Sequence, residues 1–557
     1  MILSQETMPA KVDCLVLGGG ITGVGIARDA AMRGLAVLLV ESDDFASGTS
    51  HLTSKVIHGG LRYLEHGHIR PVIEGIIERD RLLNRMAPNL IRPLKFVMPF
   101  EGHRFPKWLL TLCGLQLYGL PEWYHHGRTS GAMLGVRLQR DYPTMRPHPF
   151  AVFFWDAQTN DARLVMAALR TAQIEGATIC NYTSITEARF ENELWTLRLR
   201  SNRHQREWVV RARMLINATG PWSPLTARLL GVEPMELTWV KGSHIVLRRP
   251  REFGDDALIM RSVYDLRPLW AIPWHNRLIV GSTESRFTGD LRDIRATTAE
   301  IDDLFESFVR TFPGAGITRS DIRCAYAGVR PIIPQGRGSE NSLSREHRIE
   351  VDSSRRLATI LGGKLTTFRR MAEQTVDKVD RLLGRRPPRY ALRSRLRGAL
   401  LWPGLTSMET KRLRANLTRV FGCSVRGADV IGHLVRHYGW DASLVLDEVA
   451  RQPRLGDPLF EEMPYCLAEL RYLCRTEKVY HLIDLVKRRT PIYFLVDKGG
   501  FESLSLVVKH VAPILGWNEE RQATELSAVA DEFRADMQAC ADSDLPMSRQ
   551  QPETVCA

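Results

Sequence analysis

Cys14-Leu15-Val16-Leu17 runs straight into Gly18-Gly19-Gly20-Ile21-Thr22-Gly23, and a second apolar run, Ala36-Val37-Leu38-Leu39-Val40, ends on Glu41. An apolar strand, a glycine turn, a helical stretch and a second strand closed by an acid leave few folds open. Gly18 permits the tight turn, Gly20 lets backbone approach a pyrophosphate, and Gly23 lets the helix lie close to the sheet. The helix N-terminus offers free N–H groups and partial positive charge to phosphates. Glu41 is placed to accept hydrogen bonds from a ribose, which favours FAD or NAD over NADP. A glycine-rich loop in some other α/β fold is the competing reading. Both strands and the acid together favour dinucleotide binding.

The pattern continues along the chain. After residues 10–60 comes a stretch rich in Arg, His and Pro that reads as an insertion. A helix begins at Asp161-Ala162-Arg163-Leu164-Val165 and leads to strands around Ala177–Cys180 and Ile185–Leu199. Met214-Leu215-Ile216-Asn217-Ala218-Thr219-Gly220 is another apolar strand ending at a glycine, the place where such sheets meet a dinucleotide. Residues 236–350 alternate short strands and loops, as in a second, sheet-based domain. Ala358-Thr359-Ile360-Leu361-Gly362-Gly363-Lys364-Leu365-Thr366-Thr367 then gives a strand, a Gly-Gly turn and a helix start.

The expected fold class is therefore α/β. A Rossmann-like nucleotide-binding domain (about 10–65, 150–235 and 355–385) holds an inserted sheet-containing substrate or cap domain (about 66–149 and 236–354). Arg385-Arg386-Pro387-Pro388 opens a basic linker, 386–398. An all-α C-terminal domain, 399–540, and a polar, disordered tail, 541–557, complete the expectation.

With 557 residues, 44% of them hydrophobic and 25% charged, the chain can form several globular units with sizeable cores. The net charge of +13 points to anionic partners. Nucleic acid is the weakest of these, because zinc-finger spacing, an RNP motif and long Lys/Arg blocks are all missing. The nine cysteines are scattered without a CxxC pair, and a reducing cytoplasm is the expected home. No metal set is expected. No apolar run reaches the roughly eighteen residues of a spanning helix, so none is expected to cross a membrane, and one segment comes partway. The segment from Arg104 to His126, centred on Trp108-Leu109-Leu110, suits either a helix lying in a membrane interface or a buried helix of the substrate domain.

Six motifs occur in a known order: Gly-Gly-Gly-Ile-Thr-Gly (18–23), Ser54-Lys55-Val56-Ile57-His58-Gly59-Gly60-Leu61-Arg62-Tyr63-Leu64, Asn217-Ala218-Thr219-Gly220-Pro221-Trp222, Lys241-Gly242-Ser243-His244, Gly328-Val329-Arg330-Pro331 and Gly363-Lys364-Leu365-Thr366-Thr367. In these the chain resembles the FAD-dependent glycerol-3-phosphate dehydrogenases of respiration, over about residues 10–540. It is nearer the aerobic, single-polypeptide type, since the block from Ser54 to Tyr63 is intact. The helical region carries Arg488-Arg489-Thr490 and Leu515-Gly516-Trp517.

The resemblance implies hydride transfer from C2 of sn-glycerol 3-phosphate to a non-covalent FAD, giving dihydroxyacetone phosphate, with electrons passing to membrane quinone. Arginine forks suit the substrate phosphate, and family position points to Arg330 and Arg62, with Tyr63 beside them and Arg345 third. His244 is the candidate proton acceptor, with His58 behind it. Arg330, Lys364 and Arg62 join His244 as the expected catalytic set. Lys364 and the helix start behind it supply positive potential to reduced flavin or touch the substrate. The expected cofactor contacts are Gly18, Gly20, Gly23, Glu41, Ser50, Ser54, Lys55, Gly220, Gly363, Lys364, Leu365 and Thr366. An anionic membrane surface, peripheral attachment at the cytoplasmic face of the inner membrane with a cytoplasmic pool, and a homodimer complete the expected partners.

The chain departs from the family pattern at His51-Leu52-Thr53, at Asn160, and at Glu284 where Asp is usual. Three rivals stand: a flavin oxidase or dehydrogenase acting on another phosphorylated alcohol or an amino acid, an enzyme using O₂ as acceptor, and a non-catalytic flavin-binding membrane adaptor.

Overall fold

Near-continuous apolar runs suit strands covered on both faces, and those runs build the centre of the first sheet. β1 (Lys11–Leu17) pairs in parallel with β2 (Val37–Val40) and β10 (Glu207–Asn217). β7 (Thr178–Cys180) and β18 (Leu357–Leu361) extend it to the parallel order β18-β10-β1-β2-β7. The computed structural model describes residues 8–61, 69–100, 127–334, 346–386, 425–460, 463–496 and 501–541, with scattered positions in 112–119 and 411–419.

Three helices cover one face of this sheet: α1 (Ile21–Met32), α3 (Asp161–Ile174) and α5 (Phe368–Leu382). They share a core that includes Val24, Ala27, Leu164, Ala168, Met371 and Val376. Asn160, one of the departures noted above, caps α3 by accepting the Arg163 N–H at 3.2 Å. Arg33, 1% exposed, ties the end of α1 to α5 through Asp377 at 2.8 Å and Asp380 at 2.9 Å. On the other face the hairpin β8 (Thr183–Glu191) and β9 (Leu194–Ser201) buries Trp195, Leu197 and Leu199.

The second sheet has ten strands in the order β15-β11-β14-β13-β12-β4-β6-β3, with β16 added to β11 and β5 to β6. Its members are β3 (Val56–Ile57), β4 (Ile91–Phe100), β5 (Gly131–Leu134), β6 (Phe150–Thr159) and β11 (Thr238–Arg248). β12 (Ala257–Arg261), β13 (Pro268–Trp274), β14 (Arg277–Gly281), β15 (Ser285–Arg286) and β16 (Ile322–Ile332) complete it. Helix α2 (Ile69–Arg81) packs by the turn Leu365–Thr367, and α4 (Thr298–Thr311) packs on β11.

The sheets divide the chain differently from the expected boundaries. Residues 150–159 form β6 of the second sheet, not part of the nucleotide-binding one. The cause is a ten-pair antiparallel register with β4, from Ile91↔Thr159 to Phe100↔Phe150, reinforced by stacked Phe96 and Phe154. β17 (Arg348–Asp352) falls the other way, pairing antiparallel with β18 at the edge of the first sheet.

The C-terminal region is helical, with α6 (Val425–Tyr438), α7 (Ala442–Arg451), α8 (Leu467–Thr476), α9 (Phe501–Leu515) and α10 (Glu519–Ala541). One short hairpin, β19 (Pro458–Phe460) with β20 (Met463–Cys466), interrupts it. These helices share one continuous core with the second sheet, where Phe494, Val507 and Leu470 join Phe96, Phe154 and Trp274. The expected linker beyond Arg386 and the tail beyond Ala541 lie outside the described residues.

Candidate active site

The glycine turn has the geometry its sequence requires. Gly18 sits at φ +107°, and a Cβ there would lie 2.5 Å from the Ala218 carbonyl oxygen. A Cβ on Gly23 would lie 2.0 Å from the Gly18 carbonyl oxygen. The turn therefore nests against the end of β10, and α1 begins flush with the sheet. Gly20 stands at the N-cap of α1 without a side-chain cap. Ser50 reaches the same end, its Oγ accepting the Ile21 N–H at 3.0 Å.

Glu41 closes β2 and accepts the Gly19 N–H at 2.6 Å and the Asp43 N–H at 3.0 Å. Burial pushes its carboxyl pKa up, against the lowering from those two N–H groups. Gly220, at φ +56° with open space on its Cβ side, ends β10 on the same side of the sheet. A three-glycine turn at an open helix end, an acid at the tip of the neighbouring strand and a free glycine across the switch fit the diphosphate and ribose of a dinucleotide.

The loop after Glu41 is braced from far away. Asp44 is fully buried and accepts Arg489 Nη1 at 2.6 Å, Arg489 Nη2 at 2.8 Å and Arg488 Nε at 2.6 Å. Burial raises its pKa, but the two guanidinium groups outweigh that and hold it well below the usual carboxylate range. Asn181 Nδ2 adds a bond to Asp44 at 2.9 Å.

Beyond this brace the loop runs into the second sheet. Thr49 Oγ1 donates to the Val329 carbonyl of β16 at 2.5 Å. Ser54 Oγ lies 2.8 Å from His244 Nε2. At Lys55 the side chain turns inward: its Nζ contacts Asp161 at 2.7 Å and stands over the rings of Trp274, Tyr326 and Phe494. Lys55, one of the expected cofactor contacts, thus has its side chain in a buried ion pair, since a 2%-exposed charge needs a partner.

His244 and Arg330 are brought together by adjacent strands. β11 and β16 pair antiparallel, with Val240↔Arg330 and His244↔Tyr326. Gly242 and His244 share a face of β11, and a Cβ on Gly242 would lie 2.7 Å from the Arg330 guanidinium. The missing side chain is the space the arginine fills. A Cβ on Gly281 would lie 2.4 Å from His244 Cδ2. The His244 ring stacks on Tyr326, centroids 4.7 Å apart and planes 11° from parallel. Arg330 Nη2 donates to Ser282 Oγ at 2.9 Å, and its Nη1 is 3.9 Å from Glu284.

Burial first, then the positive charges of Arg330 and Lys55, hold the His244 pKa well below the ordinary value. The imidazole is therefore neutral and able to accept a proton. Its Nδ1 is buried without a hydrogen-bond partner among the described residues.

The last piece is the turn after β18. Gly362 and Gly363 have φ +70° and +90°, and Lys364 caps the short turn Leu365–Thr367 that opens α5. Thr366 Oγ1 bonds both the N–H and the carbonyl of His58, each at 3.1 Å. Leu365 packs against the core under α1 and α5. His58 itself meets Trp270 edge-on at 5.8 Å. Arg62, Tyr63 and Arg345 lie outside the described residues, as do Trp108 and Leu109.

No sequence signal marks Ser282 or Tyr326 as parts of this arrangement. Glu284 had one, as a departure from the family pattern.

A parallel sheet with an open glycine turn, joined to a second sheet presenting a neutral histidine and an arginine, defines an FAD-type oxidoreductase. Comparison with known proteins agrees. A family model described as "FAD dependent oxidoreductase" matches residues 13–350, and one described as "C-terminal domain of alpha-glycerophosphate oxidase" matches 391–522.

The chain is 32% identical to the aerobic glycerol-3-phosphate dehydrogenase of Escherichia coli (strain K12) over 487 residues, covering 86% of this chain and 93% of that one. It is 35% identical to the D-erythritol 1-phosphate dehydrogenase of Brucella abortus (strain 2308) over 386 residues, 67% of this chain and 74% of that one. Among solved structures, the FAD complex of glycerol-3-phosphate dehydrogenase from Bacillus halodurans superposes with a TM-score of 0.74 over 96% of both chains at 23% identity.

The chain belongs to the FAD-dependent glycerol-3-phosphate dehydrogenase family. FAD is its cofactor.

Proposed function

We propose that this enzyme oxidises sn-glycerol 3-phosphate to dihydroxyacetone phosphate and passes the electrons to a membrane quinone. The observation that carries the reading is the pairing of Arg330 and His244 on neighbouring strands, beside the loop that leads from Glu41 to His58. Oxidising a secondary alcohol removes a hydride from carbon and a proton from oxygen. Bound FAD supplies the two-electron acceptor for the hydride.

The chain supplies the rest. Arg330, always charged, grips the phosphate, with Arg62, Tyr63 and Arg345 proposed beside it. Neutral His244 takes the hydroxyl proton. Ser54 orients the imidazole through Nε2. Lys364, at the head of the turn into α5, adds positive potential toward the flavin and the substrate. The cofactor contacts proposed are Gly18, Gly20, Gly23, Glu41, Ser50, Gly220, Gly363, Leu365 and Thr366.

The aerobic E. coli relative supports a respiratory acceptor. For the membrane, α2 offers a stripe of exposed isoleucines, Ile69, Ile73 and Ile77, with Arg70 beside them. That face, together with the basic net charge, supports peripheral attachment to an anionic surface. No helix among the described residues is long and apolar enough to cross a membrane.

A second reading, a longer phosphorylated polyol as substrate, is favoured by the similarity to the Brucella abortus enzyme. Anaerobic addition of sn-glycerol 3-phosphate to the holoenzyme separates the two. Bleaching of oxidised flavin with dihydroxyacetone phosphate formed supports the first. Bleaching only by erythritol phosphates, with dithionite reduction intact, would replace it with the second. Peroxide formed under air in step with turnover would overturn the quinone.

A further inference from the structure

A carboxylate that touches none of the reacting groups gathers the elements that carry them. Glu300 lies in the first turn of α4, with its side chain 13% exposed. Its Oε2 meets Lys241 Nζ at 2.9 Å and accepts Ser243 Oγ at 2.9 Å and the Thr297 N–H at 2.9 Å. Its Oε1 accepts Ser285 Oγ at 2.8 Å and Thr283 Oγ1 at 3.4 Å. Thr283 Oγ1 in turn accepts the Ser243 N–H at 2.8 Å.

Capping α4 requires only the reciprocal bonds with Thr297. The remaining contacts run to β11 at Lys241 and Ser243, and to the segment 283–285. Those segments flank the site. Gly242 and His244 alternate with the two β11 residues Glu300 binds, and Ser282 holds Arg330. Burial pushes the Glu300 pKa up, but Lys241 and the N–H and hydroxyl donors outweigh it and keep it below its ordinary value.

We propose that Glu300 is a positioning residue for substrate. It locks residues 282–285 against β11, so that Ser282 sets the Arg330 guanidinium over Gly242 and Gly281 leaves room for the His244 ring. This rests on the phosphate role given to Arg330 under Proposed function.

The test uses the FAD-loaded full chain. Glu300→Gln keeps the shape but places an amide donor among donors. It is expected to raise KM for sn-glycerol 3-phosphate at least tenfold, to lower kcat less than threefold, and to leave FAD content unchanged. Inorganic phosphate, followed through its perturbation of the flavin spectrum, should bind at least tenfold more weakly. Thr297→Ala weakens the same helix cap and lowers Tm, yet should keep KM within twofold.

Ser285→Ala removes only an Oε1 bond that the cap does not use. It should raise KM about threefold, and it carries the test if Glu300→Gln does not fold. Equal KM changes in Thr297→Ala and Glu300→Gln, or an unchanged KM in Ser285→Ala, overturn the proposal. Failure of the substrate reading appears separately, as wild-type flavin that sn-glycerol 3-phosphate does not bleach.

Discussion

His244 and Arg330 make opposite electrostatic demands on one small volume. Arg330 must stay charged beside a histidine that must stay neutral, and its charge helps impose that neutrality. Two outcomes follow at this scale. Arg330→Ala should lower kcat/KM for sn-glycerol 3-phosphate by about 100-fold, the size of a charge-assisted pair, while the rate with free glycerol changes little. Steady-state kinetics with both substrates checks this, and equal losses would remove the phosphate role.

The pH dependence has a definite sign. Were His244 the base proposed above, its depressed native pKa would keep it competent well below its ordinary value, and the acid limb of kcat/KM should fall below about 6.5. The unfolded chain binds this proton first. The histidine's share of stability is therefore complete above about pH 6.5 and is lost as pH falls toward the depressed native value. Comparing Tm against pH for wild type and His244→Asn isolates that share.

Between elements, the decisive contacts join segments that sequence proximity does not suggest. Asp44→Ala would leave Arg488 and Arg489 buried without their shared carboxylate, at a cost of about 3–5 kcal/mol. The loop carrying Glu41 and Ser50 should then hold FAD less tightly. Thermal unfolding and FAD dissociation measured by flavin fluorescence read both effects, and unchanged FAD release would confine Asp44 to stability.

Much of the nucleotide-binding half was legible because its signals are local: a glycine turn between two apolar strands and an acid at a strand end. What escaped was pairing at long range. Phe150–Thr159 reads as one more apolar strand, and only its register with β4 assigns it to the second sheet. Lys55 reads as a loop cation until Asp161, on another element, draws it inward. His244 and Arg330 were visible as motif residues, whereas Ser282 and Tyr326 acquire meaning only once β11, β14 and β16 are side by side.

Across the whole molecule, the C-terminal helices are not an appendage. Their core is continuous with the second sheet. Helix α10 also supplies Glu532 and Asp536, which between them bind Arg295 beside the site and Lys487. A shared core and shared ion pairs predict a single cooperative transition with FAD lost in it, as for one domain. Differential scanning calorimetry of the holoenzyme checks this, and two resolved transitions would separate the helical region from the rest.

The clamp on Asp44 also sets a schedule for biosynthesis. The dinucleotide loop emerges from the ribosome early, but the arginines that fix it are translated more than four hundred residues later. Until they arrive Asp44 has no guanidinium partner, and the loop's final shape waits on them. A polypeptide interrupted before Arg488 is therefore expected to hold flavin less tightly than the full chain, which the flavin absorbance of the truncated protein checks.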